Sequence, residues 1–320
     1  MRVTVCACTY RRPEGLRALL SGLAAQRLAS EALDVDFVIV DNEGSDEARS
    51  ICDGFSRTSG RSVRYVVEPQ RGISFARNAC LDHLPPASEF FAMIDDDEVP
   101  EPDWLAELFR MQRATGADVV QGAVVPHLPE GAPDWIRRGR FFGWPGDPFA
   151  AADAVPRDGA EIPSAATNNV LVRCDCVRRS GLRFDTRLSL RGGEDALFFR
   201  ALRRAGARLV YAERARVQEI VPPERATLRY LARVQYRQGH KPLPMKLLAQ
   251  KAGAPLAERL RLRARTAFRG GAAILLAAAR SVRALAAGGR RAALTLELLR
   301  ACRGTGLIAS AAGGSYDHYR

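Results

Sequence analysis

Phe90-Phe91-Ala92-Met93-Ile94-Asp95-Asp96-Asp97-Glu98 decides how this chain is read. Five apolar residues in a row, bounded by polar ones, fit a short strand buried on both faces. Four carboxylates follow with no spacer. Such a run repels itself, so a fold holds it best where a cation or solvent compensates. A solvated acidic turn is the plainer reading, and the unbroken apolar strand before it argues for the cation. Asp95 and Asp97 form an Asp-x-Asp pair of hard oxygen donors, suited to Mg²⁺ or Mn²⁺, ions that also bridge diphosphate oxygens.

The pattern repeats outward from this strand. Val3 to Ala7, Asp36 to Val40 and Arg64 to Val67 read as strands. Between them, Glu14 to Gln26, Ser45 to Phe55 and Gly72 to Leu84 read as helices, the first with Leu16, Leu19, Leu20 and Leu23 on one stripe. Pro102 to Thr115 is a further helix, and Asp118-Val119-Val120 opens another strand. Strands alternating with helices predict an α/β fold, a mostly parallel sheet with helices on both faces. Ligands in such sheets bind beyond the carboxyl ends of the strands. Three polar clusters fall there: Thr9-Tyr10, Asp41-Asn42 and Asp95 to Glu98. Residues 127 to 162, rich in Pro, Gly and aromatics, read as an irregular insertion near the site. Asn169 to Val172 and Leu209 to Tyr211 return to strand, with a helix from Glu194 to Ala205 between them.

Two further clusters carry chemistry. Gly192-Gly193-Glu194-Asp195 opens the last of these helices. Acids in a first turn complement the helix dipole, and a carboxylate fixed there can also take a proton from an attacking hydroxyl. Gln70-Arg71-Gly72 through Arg77-Asn78, a glycine turn entering a helix, suits phosphate or nucleotide contact.

Taken together these stretches resemble glycosyltransferase family 2, in particular bacterial members that build exopolysaccharide, capsule or lipopolysaccharide, such as succinoglycan-type enzymes. The matching pieces are Cys8 to Pro13, Ile39 to Asn42, Gly72 to Asn78, Ile94 to Glu98 with Trp104-Leu105, Thr167 to Val170, and Phe184-Asp185 through Asp195. Their order and spacing cover about residues 3–240. The resemblance implies a GT-A fold and an inverting transfer from a nucleoside-diphosphate sugar. It implies that Thr9, Tyr10, Arg12, Asp41 and Asp96 contact the donor nucleotide, that Asp95 touches its ribose or sugar, and that Arg77 lies near the donor site. Asp97 is expected to hold the divalent metal, Asp195 to be the general base, and Glu194 and Asn169 to meet the acceptor. Related sequences often carry a His shortly before the segment matching Val221-Pro222-Pro223; here Glu219 stands nearby as an alternative hard donor. Water or His240 are the other options, and His240 reads better as a surface or acceptor-side residue.

Charge divides the chain. Residues 1–200 hold 24 Arg and 30 Asp+Glu, a net of −6; residues 201–320 hold 24 Lys+Arg and 6 Asp+Glu, a net of +18, which together give the +12 of the whole. The expected organisation is a catalytic domain over 1–221 and a basic amphipathic helical tail over 222–320. Leu256, Leu260, Ala264, Ala267 and Phe268 recur at helical spacing among arginines, which reads as interfacial helices on an anionic membrane. Basic residues close to such a surface contribute about 1 kcal/mol each. That placement suits a lipid-linked saccharide acceptor; the alternative is a tail packed on the main domain. With no signal peptide or apolar span visible, a cytoplasmic protein peripheral to the inner face of a bacterial plasma membrane is expected. The seven cysteines form no CxxC pair; Cys6/Cys8 and Cys174/Cys176 fall in strand-like runs, and all read as reduced, mostly buried thiols. A nucleic-acid-binding role for the tail is disfavoured by its few aromatics and by the absence of any RRM, KH or zinc-finger pattern. A sugar-nucleotide nucleotidyltransferase is disfavoured because Thr9 to Pro13 holds no glycine. P-loop, HExxH and GxSxG patterns are absent.

Overall fold

The computed structural model describes residues 1–28, 33–144, 148–149, 155–248, 255–286 and 291–314. Gly313 to Arg320, which the sequence offers as a loose end, falls outside these residues from 315 onward, as does part of the 127–162 insertion. Contacts divide the chain into two compact units. The first comprises Met1–His127, Phe142–Leu190 and Glu194–Ile220; the second comprises Leu128–Phe141, Arg191–Gly193 and Val221–Arg320.

The first unit is built on eight strands: β1 (Arg2–Thr9), β2 (Asp34–Asp41), β3 (Val63–Val67), β4 (Phe90–Ile94), β5 (Glu98–Pro100), β6 (Val119–His127), β7 (Asn169–Arg173) and β8 (Leu209–Ile220). They form one sheet in the order β3-β2-β1-β4-β7-β6-β8-β5. β3, β2, β1 and β4 run parallel. β7 is antiparallel to β4 and to β6, β8 is parallel to β6, and β5 is antiparallel to β8. β4, buried on both faces, is the continuous apolar run that a covered parallel sheet requires, and β1 is nearly so, its buried polar interruption, Thr4, being paired with the Ser88 hydroxyl at 2.7 Å.

Helices cover both faces. α1 (Pro13–Ala24), α2 (Asp46–Ser59) and α4 (Trp104–Thr115) pack on one side, where Leu16, Leu19, Leu23, Cys52, Phe55, Trp104, Leu108 and Phe109 meet Val3, Val5, Phe37 and Ile39. α3 (Ile73–Asp82), α6 (Cys174–Ser180) and α7 (Glu194–Arg204) pack on the other, with Ala76, Cys80, Cys176, Phe198, Phe199 and Leu202 against Cys6, Val38, Phe91 and Met93. Local chemistry sets the ends. Pro13 starts α1 with a fixed φ. The Ser45 hydroxyl caps α2 on the Ala48 amide at 3.2 Å. All seven cysteines are free thiols.

Three elements depart from expectation. β5 is only three residues long, too short to carry a period. β8 extends nine residues beyond Tyr211, to Ile220; its outer half alternates polar and apolar side chains because it pairs with β5 and β6 at the sheet edge. Cys174 and Cys176 lie in a helix, α6, rather than a strand.

The second unit contains α5 (Asp134–Arg137), α8 (Leu228–His240), α9 (Pro242–Leu248), α10 (Leu256–Ala286) and α11 (Arg291–Ala311). Missing side chains let its helices approach. A Cβ on Gly239 would stand 2.0 Å from the Arg303 carbonyl oxygen, and one on Gly270 would stand 2.6 Å from that of Gly304. His240 is buried; its Nε2 lies 2.8 Å from the Gly314 carbonyl and its own carbonyl accepts the Ser310 hydroxyl at 3.0 Å. It therefore ties α8 to α11 and the segment after it, and is buried rather than a surface residue. No described helix is long and apolar enough to cross a membrane.

Candidate active site

β4 delivers Asp95, Asp96 and Asp97 at its carboxyl end, and β5 begins at Glu98. The antiparallel register then sets Glu98 opposite Glu219 on β8, and the Ile220 amide donates to the Asp97 carbonyl at 3.3 Å. Glu219, far from the acidic run in sequence, thus joins it. Its Oε2 also accepts the Gly143 amide at 2.8 Å.

The charges in this row are met by two arginines. Arg12 Nη1 lies 2.9 Å from Asp96 Oδ1 and 2.9 Å from Asp97 Oδ2. Asp96 Oδ2 takes the Thr9 hydroxyl at 2.9 Å. Burial pushes the Asp96 carboxyl up to about 6, against the pull of Arg12 and Thr9. Burial also drives Glu98 well above the ordinary carboxylate range, with Asp95, Asp97 and Glu219 adding to the shift. Its Oε1 takes Asn168 Nδ2 at 3.0 Å, while Glu98 Oε2 and Asn168 Oδ1 are buried acceptors without a donor.

On the opposite flank, α3 carries Arg77, which is buried. Its Nη1 bonds Glu194 Oε1 at the start of α7, and its Nη2 reaches Asp95 Oδ1 at 3.4 Å. One guanidinium thereby fastens the acidic first turn of α7 to the acidic end of β4. Asp195, half-buried, is close enough for its charge to act on both Asp95 and Arg77. Its Oδ1 accepts the Ala196 amide at 2.7 Å.

A cavity of about 250 Å³ opens beside the row, lined by residues including Thr9, Arg11, Arg12, Asp41 and Ser45. Asp41 is fully engaged at its floor: Oδ1 accepts the Glu43 amide, and Oδ2 accepts the Ser45 amide at 2.8 Å and the Tyr65 hydroxyl at 2.6 Å. Burial acts to raise this carboxyl, but those hydrogen bonds overcome it and hold it below the usual range. At the rim the backbone is strained: Arg11 has φ 57°, in the left-handed region. Its guanidinium and that of Arg71 lie 5.1 and 5.6 Å from the centre of the Tyr10 ring.

Two expected acceptor contacts take a different form. Asn169 is wholly buried, its Oδ1 accepting the Trp104 indole at 2.7 Å and its Nδ2 donating to the Ala123 and Ala215 carbonyls at 2.8 Å each. These three bonds use both donors of the amide and join β7, β6, β8 and α4. Glu194 is likewise buried and paired with Arg77. Tyr65, which locks Asp41, has no signal in the sequence, being one aromatic residue in a short strand. Gly15 is equally hidden: a Cβ there would lie 2.3 Å from the Asp96 carbonyl oxygen. Gly15→Ala is therefore expected to displace the acidic row and cost about 1–3 kcal/mol, read as a lowered midpoint in urea. An unchanged midpoint would show that the loop yields freely.

The donor set of Asp95, Asp97 and Glu219 is all hard oxygen, and the unpartnered Glu98 and Asn168 oxygens beside it show an environment short of positive charge and donors. This chemistry fits Mg²⁺ or Mn²⁺. Among the described residues, no three His, Cys, Asp or Glu side chains already converge as ligands.

Comparison with known proteins bears on the family and the fold. The sequence model "Glycosyl transferase family 2" matches residues 4–174. The succinoglycan biosynthesis protein ExoM of Rhizobium meliloti (strain 1021) is 36% identical over 252 residues, covering 79% of this chain and 77% of that one. The glucosyl-dolichyl phosphate glucuronosyltransferase of Haloferax volcanii is 27% identical over 266 residues, 79% and 80% of the two chains. Among solved structures, the mannosyltransferase PcManGT from Pyrobaculum calidifontis in complex with GDP-Man and Mn²⁺ superposes with a TM-score of 0.64 at 19% identity, covering 96% and 86%. S. aureus TarS 1-349 with UDP-GlcNAc gives 0.53 at 15%, covering 100% and 93%. These likenesses establish the GT-A fold, and the family match and the 36% relative establish more: the chain is a glycosyltransferase and belongs to glycosyltransferase family 2.

Proposed function

We propose that this enzyme moves a sugar, with inversion, from a nucleoside-diphosphate sugar to a hydroxyl of a lipid-linked saccharide during assembly of a cell-surface polysaccharide. The observation that carries the proposal is the Arg77 clamp, which sets Asp195 beside Asp95. A base next to the donor row is what a direct displacement needs. The names of two relatives, a succinoglycan biosynthesis protein and a glucuronosyltransferase acting on glucosyl-dolichyl phosphate, support the polymer and the lipid carrier. Residues 1–221 act as the catalytic part and the basic 222–320 as the part that meets an anionic membrane, at the inner face of the plasma membrane.

In this reading the nucleoside enters the cavity between Thr9, Arg12 and Asp41, with Tyr10 at its rim. Asp41 acts indirectly, by fixing the Glu43 and Ser45 amides that shape the cavity wall. Asp97 and Glu219 would hold Mg²⁺ or Mn²⁺, which supplies charge neutralisation on the diphosphate. Asp195 takes the proton of the acceptor hydroxyl as its oxygen bonds to the anomeric carbon. The bond from that carbon to the diphosphate oxygen breaks on the opposite face, and the electron pair leaves with the nucleoside diphosphate. One base suffices for this single displacement.

The test is a thermal-shift panel of UDP, GDP, TDP and CMP with and without Mn²⁺, on wild type and Asp97→Ala. A ligand that binds only the folded state raises the melting temperature. One diphosphate is expected to stabilise the wild type in a metal-dependent way that Asp97→Ala loses. No stabilisation of folded protein by any of them would remove the donor reading, and pyrophosphate release on turnover would mark a nucleotidyltransferase instead.

A further inference from the structure

α10 is 31 residues long, about 46 Å at 1.5 Å per residue. Thr266, Gly270 and Ala277 are its buried residues and define its inner face. Six of its large apolar residues stand away from that face: Leu256 is 70% exposed, Leu260 55%, Phe268 77%, Leu275 73%, Val282 66% and Leu285 62%, while Leu276, 55% exposed, lies apart from them. At 100° per residue these six fall within an arc of about 120°. Small residues, Ala257, Ala264, Gly271 and Ala278, fill the gaps between them. Arg265, Arg269, Arg280 and Arg283, all exposed, lie on the flank beyond one edge of this stripe, together with Leu276. The helix as a whole carries seven Arg and one Glu.

A soluble surface scatters its apolar residues singly; a continuous stripe of this length marks a surface that something covers. The same helix is not apolar enough to span a bilayer. Apolar on one arc and cationic along its edge, it has the form of a helix that lies in the plane of a membrane interface. We infer that the outer face of α10 docks on an anionic lipid bilayer, with Phe268 and the leucines entering the acyl boundary and the arginine edge meeting headgroup phosphates. The arginines select the occupant. A second copy of this basic helix would bring like charges together, whereas phosphate headgroups neutralise them. Nucleic acid would satisfy the arginines but leave the apolar stripe in water. This deepens the lipid-linked-acceptor reading by naming the surface that brings the enzyme to its substrate, and it is testable separately from catalysis.

The experiment is flotation of the full chain with phosphatidylcholine vesicles, with and without phosphatidylglycerol. The wild type is expected to float at least about tenfold better with the anionic lipid. Two variants, Leu260→Ser/Phe268→Ser/Leu275→Ser and Arg265→Glu/Arg269→Glu/Arg280→Glu/Arg283→Glu, are expected to fall to the neutral-vesicle level. Every changed side chain is exposed, and an unchanged melting temperature and retained nucleoside-diphosphate binding check the fold and leave the transfer reading intact. Phe268→Trp provides a second readout, a blue-shifted emission on adding anionic vesicles. The inference is overturned by any of three results: a wild type that does not float, a serine variant that floats as well as the wild type, or a stable dimer that the serine variant dissolves. Tight binding of single-stranded RNA, unchanged in the serine variant and without vesicle binding, would overturn it in favour of nucleic acid.

Discussion

Asp195→Asn is expected to lower kcat by about 10²–10⁴-fold, the range that a positioned general base contributes, with donor binding and melting temperature close to wild type. The asparagine keeps the size of the side chain and an oxygen for the Ala196 amide, which now lies 2.7 Å from Oδ1. What it loses is the capacity to take a proton. Asp195 is half-buried and hydrogen-bonds next to its own backbone, so its removal leaves no buried partner unsatisfied. The rate loss is thus separable from stability, as it would not be at Glu194. The measurement is initial velocity against donor and acceptor concentration. The wild type should turn over at the full rate and the variant at the reduced one, while the half-saturating donor and acceptor concentrations of the two proteins stay close to each other. A variant retaining more than about a tenth of wild-type kcat would exclude Asp195 as the base.

Much of the fold and part of the site can be read in the amino-acid sequence, for physical reasons that differ by residue. β1, β2 and β4 announce themselves because strand segments buried on both faces are largely apolar, as Val3 to Ala7, Phe37 to Val40 and Phe90 to Ile94 are. The acidic row is legible because four consecutive carboxylates at the end of such a strand repel one another unless a cation or solvent compensates. Glu219 is reachable only by resemblance to a family pattern. Its proximity to Asp97 depends on β5, a strand of three residues, pairing with the far end of β8. No periodicity shows in three residues, and β8 itself reads as a three-residue strand because its outer half is exposed and mixed. Asn169 departs from the acceptor role for a related reason. A motif asparagine beside a site reads as functional, yet the Trp104 indole and two carbonyls consume it. Sequence shows that a polar group is present; only packing shows which neighbours have already used its hydrogen bonds.

Arg77→Met is expected to destabilise the protein by about 3–5 kcal/mol, the cost of removing one partner of a buried ion pair. Arg77 and Glu194 are 7% and 4% exposed, so water cannot take over the bonds that the guanidinium makes. Surrounding carboxylates, Glu194 first, hold the guanidinium charged against the burial that opposes it. Methionine fills the volume and leaves Glu194 and Asp95 without their cation. The pH dependence has a definite sign. Burial already raises the Asp95 carboxyl above its ordinary value, with Arg77 as the main force pulling it down. A carboxyl raised in the folded state costs stability when ionised. That cost is absent below the unfolded value, about 3.9 for Asp, and grows as pH climbs toward the folded one. Without Arg77 the cost is larger, so the gap in melting temperature between wild type and variant should narrow as pH falls from neutral toward that value. Arg77→Met/Glu194→Met tests the origin of the loss. Replacing both partners by apolar groups of similar size should restore much of the stability, because no buried charge remains at Glu194. It should not restore turnover, since the tether that sets the first turn of α7 against Asp95 is gone. If the double variant recovered full activity, Arg77 would be no more than a counter-ion, and Asp195 would owe its position to the packing of α7 alone.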